Sequence, residues 1–331
     1  MTPLHPPYQR PSEVAPGIFL VPIPIPIPLR YVNCYLMRGA SGWTLVDTGF
    51  HDDLAEDAWP RAFADIGIRP QDVNQILITH YHPDHIGGAG WLQQLTGAPA
   101  YLHDVEFRQL ELFWGESMDE QVERLVRFFA SEGMSEAMAR AIGEHHHHQF
   151  DHVQPLPKLT PIGAGSVMQL GAGSYEVIHT PGHSDGLAIF WDKSTGILLA
   201  NDMILAKITP NVSVWPNCSP NPLAEYIKSL ALVEGLGARL ALTGHRSLIT
   251  DVSGRAREIG QHHDERLAKM AAATRVTPNG ATAWEVTERI FRPEELTIHQ
   301  VRFAMAEALA HLVYLVEQGQ MVKEGNRYRS L

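Results

Sequence analysis

Between Ile78 and His85 the chain reads Ile-Thr-His-Tyr-His-Pro-Asp-His, which places three histidines and an aspartate within six positions. Imidazole nitrogens and carboxylate oxygens are the donors that divalent transition-metal ions take from proteins. In extended backbone, residues two apart point the same way, so His80 and His82 can close on one ion as a strand runs out. Pro83 then breaks the strand geometry. That break lets Asp84 and His85 turn towards a second position beside the first, and Gly87-Gly88 lets the backbone pass close by. Histidine is abundant, at 18 of 331 residues, but a chance match to this four-residue spacing still has odds on the order of a few in a thousand.

Two ions with an open water position need more than four side chains. His183 lies in Thr180-Pro181-Gly182-His183-Ser184, Asp202 follows the apolar run Ile197 to Ala200, and His245 follows Leu240 to Thr243 and Gly244. All three come after strand-like runs, and an α/β sheet gathers its site in the loops beyond its strand ends. A lone histidine in such a place is ordinarily structural. Three such positions behind the first cluster read together as further ligands.

In this order, His-x-His-x-Asp-His, then a later His, a later Asp and a final His, the chain resembles the metallo-β-lactamase superfamily over roughly residues 17 to 250. The resemblance implies an α/β fold, an αββα sandwich, in which His80, His82 and His183 hold one ion, Asp84, His85 and His245 hold the other, and Asp202 bridges both. Val46-Asp47-Thr48-Gly49 matches an early motif of that family, in which the aspartate supports the metal site from behind the ligands. Physically, a ligating imidazole needs its other N–H held by a carboxylate or carbonyl; the plainer reading of Asp47 is a turn or helix-start residue.

The chemistry so implied is hydrolysis. Two divalent ions, zinc first, with iron and manganese also suited to histidine and carboxylate ligands, lower the pKa of water towards ~7. Such ions would supply a hydroxide nucleophile, beside which Asp84 would serve as proton acceptor or shuttle, or simply as a ligand. The glyoxalase II-like ligand set favours a thioester, ester or lactone as substrate. Phosphodiester cleavage by a metal-dependent endoribonuclease is the alternative. A non-catalytic winged-helix binding protein is the second, weakened by the intact ligand set.

Several elements must position these residues. Residues 1 to 16 read as a loosely held arm, and the prolines from Gly17 to Leu29 enforce extended backbone suited to an edge strand or a polyproline segment. Tyr31 to Met37 and Trp43 to Val46 form a hairpin, Leu54 to Ile66 a helix, and Gln75 to Thr79 the strand that delivers His80. Residues 104 to 158 form a helical insertion, in which Phe113, Trp114, Phe128 and Phe129 belong either to an apolar lid over the site or to a helix pair packed on the core. Within it, His145-His146-His147-His148 fan around a helix and cannot converge, so the run reads as a solvated helix end, with room for one member at the pocket mouth. Strands resume at Ser166 to Leu170, Tyr175 to His179, Ala188 to Trp191, Ile197 to Ala200 and Leu240 to Leu242. The segment Ile204 to Pro222, with Trp215, is a candidate pocket wall.

After residue 250, helices are expected at Arg255 to Ala273, Thr282 to Phe291 and Thr297 to Gln318, with a break at Thr277-Pro278-Asn279-Gly280 and a terminal hairpin turning at Gly325-Asn326. These resemble the winged-helix-like unit of one subgroup of the superfamily. In the longest helix Val301, Met305, Ala308, Leu312 and Leu315 share one face, which predicts packing or a homodimer contact rather than recognition of nucleic acid. Composition agrees: the net charge of -11 opposes general attraction to phosphate backbones or anionic lipid. A small acyl compound is the expected partner. No signal-like N-terminus and no run near the ~20 apolar residues of a membrane span is evident, so a cytoplasmic location is expected. Cys34 and Cys218 read as reduced, packed thiols.

Overall fold

The structure is a computed structural model; it describes residues 5–115, 117–147, 150–276 and 278–331, so His148 and Thr277 of the segments above lie outside the described residues. A first sheet holds seven strands in sequence order, β1 (Ser12–Ala15), β2 (Ile18–Pro24), β3 (Tyr31–Arg38), β4 (Trp43–Val46), β5 (Val73–Leu77), β6 (Ala100–His103) and β7 (Leu159–Ile162). Its first four strands are antiparallel and the rest parallel. Three helices, α1 (Asp53–Ile66), α2 (Pro83–Ile86) and α3 (Ala89–Thr96), lie in its crossovers. The second sheet contains β8 (Val167–Leu170), β9 (Gly173–His179), β10 (Ala188–Asp192), β11 (Ile197–Asn201) and, parallel to the last, β12 (Leu240–Thr243). Between β6 and β7 come α4 (Glu106–Leu110), α5 (Met118–Ser131) and α6 (Glu136–His147), and α7 (Pro222–Gly235) precedes β12. The chain ends with α8 (Val252–Thr274), β13 (Ala281–Thr282), α9 (Ala283–Phe291), α10 (Ile298–Glu317), β14 (Met321–Glu324) and β15 (Arg327–Ser330), the three strands forming a small sheet.

Side-chain alternation builds the layers. On β3, Val32, Cys34 and Leu36 face helices α1 and α3, meeting Trp59, Phe63 and Leu92. Tyr35 and Met37 face the other way and meet Val177, Phe190 and Leu199 of the second sheet. That sheet sends Ile189, Leu198 and Ala200 outward onto a helical layer containing Tyr226, Ile259 and Met305. The result is helix, sheet, sheet, helix, the αββα sandwich.

The same outer cluster includes Val301, Met305, Ala308, Leu312 and Leu315, so the apolar face of α10 finds its partner within the chain. A second tie runs through Glu132, which accepts from Lys323 Nζ at 2.6 Å and Tyr328 Oη at 3.1 Å. Those contacts fasten the terminal sheet to the end of α5.

Two expectations need correction. The arm is not loose throughout, because Ser12–Ala15 pairs with β2. Strand β2 is accordingly internal where it faces β1, and it is an edge only beyond Leu20, where Pro22 and Pro24 have no neighbour needing an N–H donor. Both cysteines are free thiols. Among the described residues, no helix is long and apolar enough to cross a membrane.

Candidate metal centre

Strand ends assemble the site. The chain leaves β4 at Asp47, β5 shortly before His80, β11 at Asp202 and β12 shortly before His245. Asp47 and Asn201 hold φ of 55° and 42°, left-handed values that Asp and Asn accept better than other side chains, and these turn the backbone sharply at the sheet rim. His82 caps α2 with Pro83 at its first position, so Asp84 and His85 swing back towards the histidines on the incoming loop. Gly244 must be glycine: a Cβ there would meet Asp202 Oδ1 at 2.1 Å and His85 Cε1 at 2.9 Å.

All seven side chains singled out above converge. Their donor atoms sort into three groups, each within 4.8 Å: His80, His82 and His183; Asp84, His85 and His245; and His80, His85 and Asp202. His245 Nε2 lies 3.2 Å from Asp84 Oδ2 and 3.5 Å from Asp202 Oδ2, and the Nε2 atoms of His85 and His183 each lie 3.6 Å from Asp202 Oδ2. These His/Asp clusters can hold metal ions.

The opposite nitrogens are fixed from behind. His183 Nδ1 donates to the Asn211 carbonyl at 2.8 Å, His245 Nδ1 to the Tyr31 carbonyl at 2.9 Å, and His85 Nδ1 to Asp47 Oδ2 at 2.8 Å. Each acceptor can only accept, so the proton sits on Nδ1 and the Nε2 lone pair is left for a cation. His80 is reached through a relay: its Nδ1 lies 3.1 Å from Thr79 Oγ1, which donates to Asp47 Oδ2 at 2.9 Å. Asp47 also accepts from the Thr79 amide at 2.9 Å. It therefore orients two histidines at once, which a simple turn residue would not do.

Several atoms of the cluster have nothing to bind. His85 Nε2, His183 Nε2 and Asp202 Oδ1 are buried without a hydrogen-bond partner among the described residues. Buried polar atoms are seldom left so, and the two Nε2 atoms each lie 3.6 Å from the other oxygen of Asp202, as ligands of cations would. Charge agrees with this reading. Burial, then the neighbouring histidines, holds His80 and His82 well below the ordinary imidazole range. Burial opposes the charged form of His85 and His245 too, but Asp202 and Asp84 outweigh it and push both upward. The two carboxylates, despite their own burial, are held far below the usual range by His85 and His245.

Behind these loops sits Glu106, which sequence reasoning passed over. Completely buried, it accepts from the amides of Tyr81 at 2.9 Å and Gly186 at 2.8 Å and from Ser184 Oγ. It thus joins the loop of His80 and His82 to the loop of His183. Burial pushes its carboxyl up to about 7.

The cluster floors a pocket of about 260 Å³. Its walls include Phe113, Trp114 and His146 from the insertion, Leu205 and Trp215 from the loop after β11, His299, Arg302 and Phe303 from α10, and Ile27 and Leu29 from between β2 and β3. In the insertion Phe113 and Trp114 line the pocket, while Phe129 is buried in the core. The histidine run is not a uniformly solvated helix end. Successive residues lie about 100° apart around a helix, so His147 is exposed while His146 turns inward and is buried.

Arg302 was given no role by the sequence. It is 8% exposed, and among the described residues no carboxylate pairs with it. Its guanidinium carbon lies 4.7 Å from the Phe303 ring centre and 5.4 Å from that of Trp215, one Nη is 3.4 Å from His146 Nδ1, and Nε has no partner. Burial lowers it to about 10, still charged at neutral pH. Ring contacts of this kind contribute about 0.5–2 kcal/mol each, against several kcal/mol for a buried unpaired ion. The protein alone leaves this charge under-compensated.

Residues 27–245 match the model of the metallo-beta-lactamase superfamily, and residues 267–329 that of the metallo-beta-lactamase-like C-terminal domain. The chain belongs to the metallo-beta-lactamase superfamily. A solved metallo-beta-lactamase family protein from Thermus thermophilus is 38% identical with a TM-score of 0.86, the match covering 96% of this chain and 100% of that one. The "Probable metallo-hydrolase YqjP" of Bacillus subtilis is 22% identical over 319 residues, 93% of this chain and 96% of the relative. An "Atrochrysone carboxyl ACP thioesterase" of Aspergillus fumigatus is 22% identical over 232 residues, 70% of this chain but 55% of that longer protein. Membership of this metallo-hydrolase superfamily accords with the His/Asp cluster at the strand ends.

Proposed function

We propose that this member of the superfamily hydrolyses compact activated acyl compounds, thioesters first among them, using two divalent ions, preferably zinc. His80, His82 and His183 would hold one ion, Asp84, His85 and His245 the other, with Asp202 between them and Asp47 orienting His80 and His85. Such ions lower the pKa of water and polarise an acyl oxygen, supplying a nucleophile at neutral pH without a serine or cysteine. Asp84, whose carboxylate lines the pocket beside His245, is placed to take and pass on the proton. The aromatic walls hold the acyl chain and exclude water.

One observation carries the choice of substrate. The ligand cluster opens into a compact pocket with aromatic and aliphatic walls, which suits an acyl group better than a polynucleotide. The thioesterase name of the fungal relative supports the same reading.

We read the order α8, β13, α9, α10, β14, β15 as a winged-helix unit used for packing and for walling the pocket. The cations of its wing are engaged within the chain, Lys323 with Glu132, Arg327 with Glu285 and Arg329 with Glu324, and α10 is largely buried. Neither is offered to a phosphate backbone. The test is kcat/KM for acyl-thioesters, lactones and single-stranded RNA on one metal-reconstituted preparation. Thioester turnover far above RNA cleavage is expected. Metal-dependent RNA cleavage with no acyl hydrolysis would replace this reading by phosphodiester cleavage.

A further inference from the structure

We infer that Arg302 is the anion-recognition group of the pocket, and that the preferred substrate carries a carboxylate on its acyl part, remote from the bond that is cleaved. This rests on acyl hydrolysis as the reaction. The guanidinium is buried among rings, lines the same pocket as the metal-ligand cluster, and has no carboxylate partner among the described residues. It is also close to that cluster: Tyr81, whose ring centre lies 4.8 Å from that of His82, feels the charge of Arg302.

The geometry selects the anion. One Nη reaches His146 and Nε is buried without a hydrogen-bond partner, so the guanidinium is under-satisfied, and the paired N–H groups of such a fork match the two oxygens of a carboxylate. A phosphate dianion held at this wall would call for a second cation beside Arg302. The nearest candidates, His146 and His299, are held at about 3 by burial and by Arg302 itself, so they stay neutral and serve as walls. Apart from the ions proposed at the floor, the one fixed positive charge on this wall therefore fits one carboxylate, at the far end of a short acyl chain whose activated carbonyl would lie over Asp84 and Asp202.

The test uses the full-length, metal-loaded protein and two arms. In the first, glutaryl and valeryl thioesters of the same small thiol are compared. The wild type should prefer the glutaryl compound, and Arg302→Met should reduce that preference about 100-fold, chiefly through KM, as expected for loss of a charge-assisted bidentate contact. Arg302→Lys, which keeps the charge but not the fork, should fall between them. In the second arm, calorimetry measures binding of valerate, valeramide and inorganic phosphate without any turnover. Valerate should bind and valeramide should not, and Arg302→Met should lose the valerate signal while melting no lower than the wild type, since an unpaired buried charge has been removed. Unchanged selectivity in a folded Arg302→Lys and Arg302→Met pair, or valerate affinity indifferent to Arg302, would overturn the inference. Arg302-dependent binding of phosphate but not valerate would overturn the carboxylate. Should no acyl compound be hydrolysed, the proposed reaction fails while the calorimetry still decides the role of Arg302.

Discussion

Histidines gather on two sides of one pocket, at the rim of the sheets and on helices α6 and α10, and the two gatherings differ in electrical character. At the rim, His85 and His245 lie among Asp84 and Asp202, and these carboxylates overcome burial to favour the imidazolium. On the helices, burial and the charge of Arg302 hold His146 and His299 at about 3. The rim set has nitrogens fixed from behind by Asn211, Tyr31 and Asp47. What marks a metal centre is thus compensated charge and a fixed tautomer, not histidine in quantity.

Removing one side of the pocket should have the largest effect. Ending the chain at residue 250 deletes Arg302 and His299 and strips Ile259, Met305 and Leu312 from the outer core cluster. Aggregation on size-exclusion chromatography is the expected result. A monodisperse truncated protein with full activity would show that the helical side contributes nothing.

Replacing the carboxylate that three rim histidines approach comes next. Asp202→Ala should lower kcat/KM for a thioester by about 1,000-fold or more, with a circular dichroism spectrum and Tm near those of the wild type, because a core of this size does not need metal to fold. Retained turnover in metal-analysed protein would remove Asp202 from the mechanism. Milder still, Asp47→Asn should weaken metal affinity about 10–100-fold by loosening the support of His80 and His85. Competition with a chelating dye measures this, and activity should return as free metal is raised.

A buried pair with no part in the pocket sharpens the contrast least but most cleanly. His263 Nδ1 and His311 Nε2 lie 3.1 Å apart, and burial holds them at about 3 and about 4, below the ordinary 6.5. Because the folded values are depressed, the unfolded chain binds more protons below pH 6.5. Stability is therefore intact above that pH and lost as pH falls towards 4, at up to about 1.4 kcal/mol per pH unit for each histidine. Urea unfolding at pH 7.5, 6.0 and 5.0 should show this slope, and the His263→Asn, His311→Asn double variant should flatten it. An equally steep double variant would place the acid sensitivity elsewhere.

The site was legible because its residues announce themselves locally: His80 to His85 form one short word, and His183, Asp202 and His245 each follow an apolar run that could only be a strand. Asp47 was legible only through the family motif, since the relay through Thr79 depends on how β4 and β5 lie side by side. Helix α7 went unread although Asn221 caps it and Pro222 occupies its first turn, the ordinary signature of a helix start. Strand β1 was hidden by polar residues that take their structure from pairing with β2. Glu106 and Arg302 have no local signal at all. Each is one charged residue on a helix, and only the tertiary fold shows that it points inward.

Helix α10 does two jobs with one rotation. Val301, Met305, Ala308, Leu312 and Leu315 hold the outer core, while His299, Arg302 and Phe303 face the pocket. One residue inserted after Gln300 would turn everything beyond it by about 100°, withdrawing Arg302 from the pocket and the apolar stripe from the core together. On the role proposed for Arg302, selectivity would be geared to stability: substrate preference would drift by exchange of side chains at positions 299, 302 and 303, but not by changes in length. Descendants with a new appetite should keep this helix in register and alter its letters.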